Sequence, residues 1–160
     1  MKDIQRALAL HEHRLQQRES ALVQARQQEA SCAKQREESE QRFIHVRDAA
    51  PSKVRGLYTP IIGTSVSLDE LDRLKHEVTK INQHVLAEEA HLLEAEKKLH
   101  EATNLTQERR QEFSLQTVRT QKYSEWRSLL LAEQRSAQAQ AEESEIEELA
   151  SALYKKRRTS

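Results

Sequence analysis

PSKVRGLYTPIIG, residues 51–63, holds both prolines and both glycines of the 160-residue chain. Proline removes a backbone donor and crowds the preceding turn, and glycine has the largest backbone entropy to lose; each costs about 1–3 kcal/mol inside a helix. With every strong breaker in one window, the remainder is free to be helical, and the chain reads as helix, hinge, helix. The expected segments are a first coiled-coil helix over 1–50, a hinge over 51–66, a second long helix over 67–154 and a basic tail over 155–160. The hinge carries apolar side chains, Leu57, Tyr58, Ile61 and Ile62, where a solvated connector would carry serine or asparagine, so something is expected to cover them.

Composition narrows the class. Charged residues make up 32% and aromatic residues 4%, with a mean hydropathy of −0.88, which is too little apolar material for a compact multilayer core but enough for a narrow seam. The 26 basic and 26 acidic side chains balance, and a nucleic-acid binder would normally carry a basic excess. One cysteine, Cys32, forms no intramolecular disulfide, and MKDIQRALALHEHR lacks the apolar core of a signal peptide. No run approaches the ~18 apolar residues of a membrane span. The expectation is a cytoplasmic protein with no direct membrane insertion.

Before the hinge, a heptad frame collects Met1, Ile4, Leu8, Leu15, Leu22, Ala25, Cys32, Phe43, Val46 and Ala50. His11, Arg18, Glu29, Arg36 and Ser39 interrupt it, and such polar entries weaken a coiled coil while restricting its register. After the hinge, Ser67-Leu68-Asp69-Glu70 fits the S-x-x-E capping box, with Val66 and Leu71 placed for a hydrophobic staple. Leu71, Leu74, Val78, Ile81, Val85, Leu92, Ala95, Leu99 and Ala102 then recur at 3,4 spacing with only Glu88 out of place. Beyond Ala102 the apolar residues, Leu105, Phe113, Leu115, Val118, Tyr123, Trp126, Leu129 and Leu130 among them, leave that register, so the seam is expected to drift. Five acids in EESEIEE, 142–148, are followed by Lys155, Lys156, Arg157 and Arg158; cations suit a helix C-terminus and would equally suit an acidic partner.

The fold class is therefore all-α, a long two-helix antiparallel coiled-coil hairpin with a longer second helix. Pairing Val46 with Leu71 sets a register in which Leu8 lies near Arg109 and Ile4 near Phe113. At ~1.5 Å per residue the hairpin is roughly 70 Å long, and residues from about 115 to 154 overhang it. An uncovered apolar stripe there, with Tyr123, Trp126, Leu129 and Leu130, points to partner binding, fold-back or self-association. No Gly-rich phosphate loop, zinc-spaced histidine pair or acid–base constellation is present, and Cys32 reads as a small seam residue. The chain is expected to be an interaction protein without enzymatic activity, cofactor or metal.

The run Leu57 to Val78, LYTPIIGTSVSLDELDRLKHEV, resembles the L-Y-x-x-I-I-x-x-x-V-S-L-x-x-L-D-x-L-K-x-x-V signature of the YscO/HrpO proteins of bacterial type III secretion, relatives of the flagellar protein FliJ. Gln121-Lys122-Tyr123-Ser124-Glu125-Trp126 is similar to that family's aromatic-bearing stretch. The resemblance implies an antiparallel hairpin like the rotary ATPase gamma subunit, acting as central stalk of the secretion ATPase hexamer and linking it to the cytosolic domain of the export gate, with secretion chaperones as further partners. It places the protein in the cytoplasm, peripheral to the inner-membrane secretion base. Carried onto this chain, Tyr58, Ile61, Ile62 and Leu68 at the hinge would face the export gate or another partner. Leu8, Leu15, Phe113, Tyr123, Trp126, Leu129, Leu130, Lys155, Lys156, Arg157 and Arg158 would meet the ATPase. A coiled-coil secretion chaperone or holdase without an ATPase role is the alternative.

Overall fold

The computed structural model describes residues 2–158, with the side chains of 2–157. Two long helices, α1 (Lys2–Tyr58) and α2 (Leu68–Arg158), are joined by a short 3₁₀ turn at Thr59–Ile61 and a brief extended link; the described residues contain no strand. The all-α two-helix fold with the longer second helix is as expected. The first helix, however, runs straight through Pro51 and Gly56, so the connector is residues 59–67 and not 51–66. Pro51 withholds only one N–H, the one that would reach the carbonyl of Arg47, and both residues are exposed. Around it the buried Ala50 and the half-buried Val54 and Leu57 keep the helix packed. At the other end, α2 continues through Lys155 to Arg158, so the basic cluster is helical, and residues 159–160 lie outside the described residues.

Chain reversal falls to Pro60 and Gly63. Pro60 occupies the first turn of the 3₁₀ segment, where a missing N–H costs little. Gly63 has φ +83°, a left-handed conformation that glycine alone adopts without a Cβ penalty. The carbonyl of Ile61 closes the turn by accepting from the Thr64 N–H (3.2 Å) and hydroxyl (2.9 Å). The capping box then starts α2: the Glu70 N–H donates to Ser67 Oγ (3.2 Å), while the Ser67 N–H and hydroxyl donate to Glu70 Oε2 (2.9 and 3.0 Å). Val66 and Leu71 are both half-buried, as a staple requires.

By its contacts the chain divides into two units, Ala21–Arg110, and Met1–Ser20 with Gln111–Ser160. In the first unit Leu22, Ala25, Ala50 and Ala102 are buried. Its interrupting polar residues are absorbed in pairs: Arg36 bridges Glu40 on its own helix and Glu96 on α2, and Arg42 lies 3.9 Å from Glu88, whose side chain is only 17% exposed. Ser39 is buried and accepts from Arg42 at 3.0 Å. Thr106, also buried, donates to the carbonyl of Ala102 four residues back at 3.0 Å. Cys32 is half-buried on the seam.

In the second unit Leu8 is buried, Ile4 and Leu15 are half-buried, and Arg18 pairs with Glu112 at 2.7 Å. That pair corrects the expected register, which put Phe113 beside Ile4: the observed pairing is displaced by roughly two heptads. The cause is the later, tighter turn, which makes each α1 residue meet a residue further along α2. The seam beyond Ala102 does not drift either. Continued at 3,4 spacing it runs through Thr106, Arg109, Phe113, Gln116, Thr120 and Tyr123, all buried or half-buried. Polar residues fill it, which is why counting apolar residues loses it. The apolar residues off that frame, Leu115, Val118, Trp126 and Leu129, are 61, 49, 52 and 64% exposed.

Candidate partner-binding surfaces

At the turn, Ile61 and Tyr58 are half-buried, whereas Ile62 and Leu68 are 76 and 80% exposed. The capping box pins Leu68 outward at the first position of α2. Of the four hinge residues singled out in the sequence, two therefore present surface and two pack under the turn. The Ser67 N–H, then its hydroxyl, hold the Glu70 carboxyl below its ordinary value of 4.5. In the same unit lies a shallow apolar groove between α1 and α2, formed by Ala50, Pro51, Val54, Val85 and Leu86 with Arg47 and Arg55 in its lining. The proline that fails to break the helix helps to shape this groove.

In the second unit the residues assigned to partner contact separate into three groups. Leu8, Leu15, Phe113 and Leu130 are enclosed or half-enclosed by the helix pair. Tyr123 belongs with them, stacked on the His11 ring at 4.3 Å between centroids with the planes 24° apart. Beside it the buried Gln116 places Nε2 3.0 Å from His11 Nδ1 and 3.1 Å from the His11 carbonyl, and Thr120 Oγ1 is 3.3 Å from the same carbonyl. Donation from the amide makes Nδ1 the acceptor and leaves the imidazole proton on Nε2. This layer ties the first turns of α1 to α2 by side-chain to backbone bonds that only one register satisfies. Sequence reading had set His11 down as an interruption and did not single out Gln116 or Thr120; continuing the 3,4 frame past Ala102 would have found both.

Trp126 and Leu129 form the second group, both more than half exposed, with Trp126 tilted 6.2 Å from Tyr123. The third begins at Ala132. From there to Arg157 every described side chain is exposed, including Ile146, Leu149, Leu153, Tyr154, Lys155, Lys156 and Arg157; the side chain of Arg158 lies outside the described residues. The uncovered segment thus starts at about residue 132 and not at 115, because α1 reaches further along α2 than expected.

Among the described residues no group of three or more histidine, cysteine or acidic side chains is placed to hold a metal, and no helix is long and apolar enough to cross a membrane. Two helices share a mixed polar and apolar seam, with apolar side chains exposed at the turn and along the end of α2. The chain belongs to the YscO family: residues 4–152 match the family model described as type III secretion protein YscO. It is a component of a type III secretion system. No curated protein and no solved structure matches the chain.

Proposed function

We propose that this protein is the central stalk of a type III secretion ATPase, inserting its helix ends into the hexamer, stimulating turnover and linking it to the cytosolic domain of the export gate. The observation that carries the reading is the uncovered stretch of α2 from Ala132 to Arg157, fully helical yet with every described side chain exposed and three 3,4-spaced aliphatic residues on it. A helix that leaves Ile146, Leu149 and Leu153 in water gains by burying them elsewhere. Ile62 and Leu68, held outward at the turn, supply the second contact, toward the export gate. In this assignment Trp126, Leu129, Lys155, Lys156 and Arg157 touch the ATPase directly. Leu8, Leu15, Phe113, Tyr123 and Leu130 act by keeping the helix ends together.

The test is turnover and co-purification of the cognate secretion ATPase with the full chain and with a chain ended after Ala132, which keeps every seam residue through Leu131. Stimulation lost with the truncation supports the stalk. Equal stimulation by both forms refutes insertion through this segment. Absence of ATPase binding by either form, with capture of unfolded secretion substrate, moves the assignment to a secretion chaperone or holdase.

A further inference from the structure

The end of α2, which the stalk assignment gives to the ATPase, has a charge pattern that also fits a second copy of itself. Ile146, Leu149 and Leu153 recur at three- and four-residue spacing and so share one side of the helix, 66, 65 and 64% exposed. Five acids, Glu142, Glu143, Glu145, Glu147 and Glu148, precede the middle of this stripe, and Lys155, Lys156 and Arg157 follow it. At about 100° per residue, Glu143 and Arg157 flank the stripe on one side and Glu145 and Lys156 on the other. Each opposite-charge set is separated by more than ten residues along one unbroken helix, roughly 15–20 Å, so the two cannot meet within the chain. No glycine or proline follows Gly63 to fold the segment back.

We propose that this face binds a second copy of the chain in antiparallel orientation, with the two-fold axis near residue 150. In that arrangement Glu143 of one copy faces Arg157 of the other on one flank, and Glu145 faces Lys156 on the other flank. Ile146 and Leu149 of each copy meet Leu153 of the second copy between them. An antiparallel two-fold pair brings like flanks together, which is why opposite charges on the same flank matter. A parallel pair would set the acids of both copies side by side and the bases likewise, at a cost. The area is modest, roughly 400 Å² per copy against the ~800 Å² of a standard interface, in the range of weak, transient contacts. The flanking ion pairs fix orientation and make the association sensitive to salt. The dimer does not rest on the stalk assignment, and it hides the segment which that assignment gives to the ATPase, so the two states exclude each other.

Sedimentation equilibrium of the isolated full chain between about 10 μM and 1 mM tests the dimer without any ATPase. The wild-type chain is expected to be a monomer at the low end and a dimer at the high end, with the association weakened several-fold by raising salt from about 0.05 to 0.5 M. Two charge-reversed chains, Glu143→Lys with Glu145→Lys, and Lys156→Glu with Arg157→Glu, are each expected to associate at least tenfold more weakly. Mixed in equal amounts they are expected to dimerise again, since each supplies the charge the other lacks. Circular dichroism confirms that both remain helical. A wild-type chain monomeric to 1 mM, reversed chains that associate like wild type, or a mixture that stays monomeric overturns the proposal.

Discussion

Replacing Gln116 by alanine is expected to cost about 2.5–3 kcal/mol, and replacing the neighbouring Leu115 less than about 0.5 kcal/mol, the reverse of their order in hydrophobicity. Gln116 is 6% exposed, with its amide within hydrogen-bond distance of both His11 Nδ1 and the His11 carbonyl. Truncation removes two bonds of about 1 kcal/mol each and strands the imidazole acceptor. Loss of the buried stem adds roughly 0.8 kcal/mol, and the better helix propensity of alanine returns a few tenths. Leu115, at 61% exposure, already has most of its side chain in water, and leucine and alanine differ little in helix propensity. Urea unfolding followed by fluorescence of Trp126, the sole tryptophan, reports on the same unit, with circular dichroism at 222 nm as the global signal. A larger loss for Leu115→Ala than for Gln116→Ala would show that the apolar residues form the seam here and that the polar layer is incidental.

Leu22, 5% exposed, is expected to lose about 2–3 kcal/mol on change to alanine, whereas Leu129, 64% exposed, loses under about 0.5 kcal/mol; thermal melts of both variants compare them. Gly63→Ala is expected to destabilise by about 1 kcal/mol because of the left-handed φ, while Gly56→Ala, inside α1 with nothing near the added Cβ, stabilises by about 0.5–1 kcal/mol; opposite signs in urea midpoints are the measurement. The lowered Glu70 carboxyl makes a stabilising contribution that is fully present above its unfolded value near 4.5 and is lost as pH falls through its lower folded value. Glu70→Gln is therefore expected to be less stable than wild type at pH 7 and to converge on it in the acid limb, and a difference that grows toward low pH would reverse the assigned role of the capping box.

The start of α2 was legible residue by residue, because a capping box is a local device: Ser67 and Glu70 satisfy each other without reference to the rest of the chain. The seam of α1 was legible too, since from Ile4 to Ala50 only Arg18 on the heptad frame is exposed. Two helices, one turn and their antiparallel pairing followed from periodicity and from where the breakers lie. The turn itself was misplaced at its first boundary, because the cost of a proline depends on its surroundings in the packed helix, where Pro51 and Arg47 both lie exposed. Register was left to tertiary structure for the same reason it is weakly encoded in any 3,4 repeat: a shift by whole heptads keeps apolar against apolar. The position of the turn selects among those shifts, and the polar groups that then meet across the helices, Arg18 with Glu112, Arg36 with Glu96 and His11 with Gln116, hold the one chosen. Sequence reading could name these polar residues only as interruptions, since a buried polar group stabilises or destabilises according to a partner that lies far away in the chain.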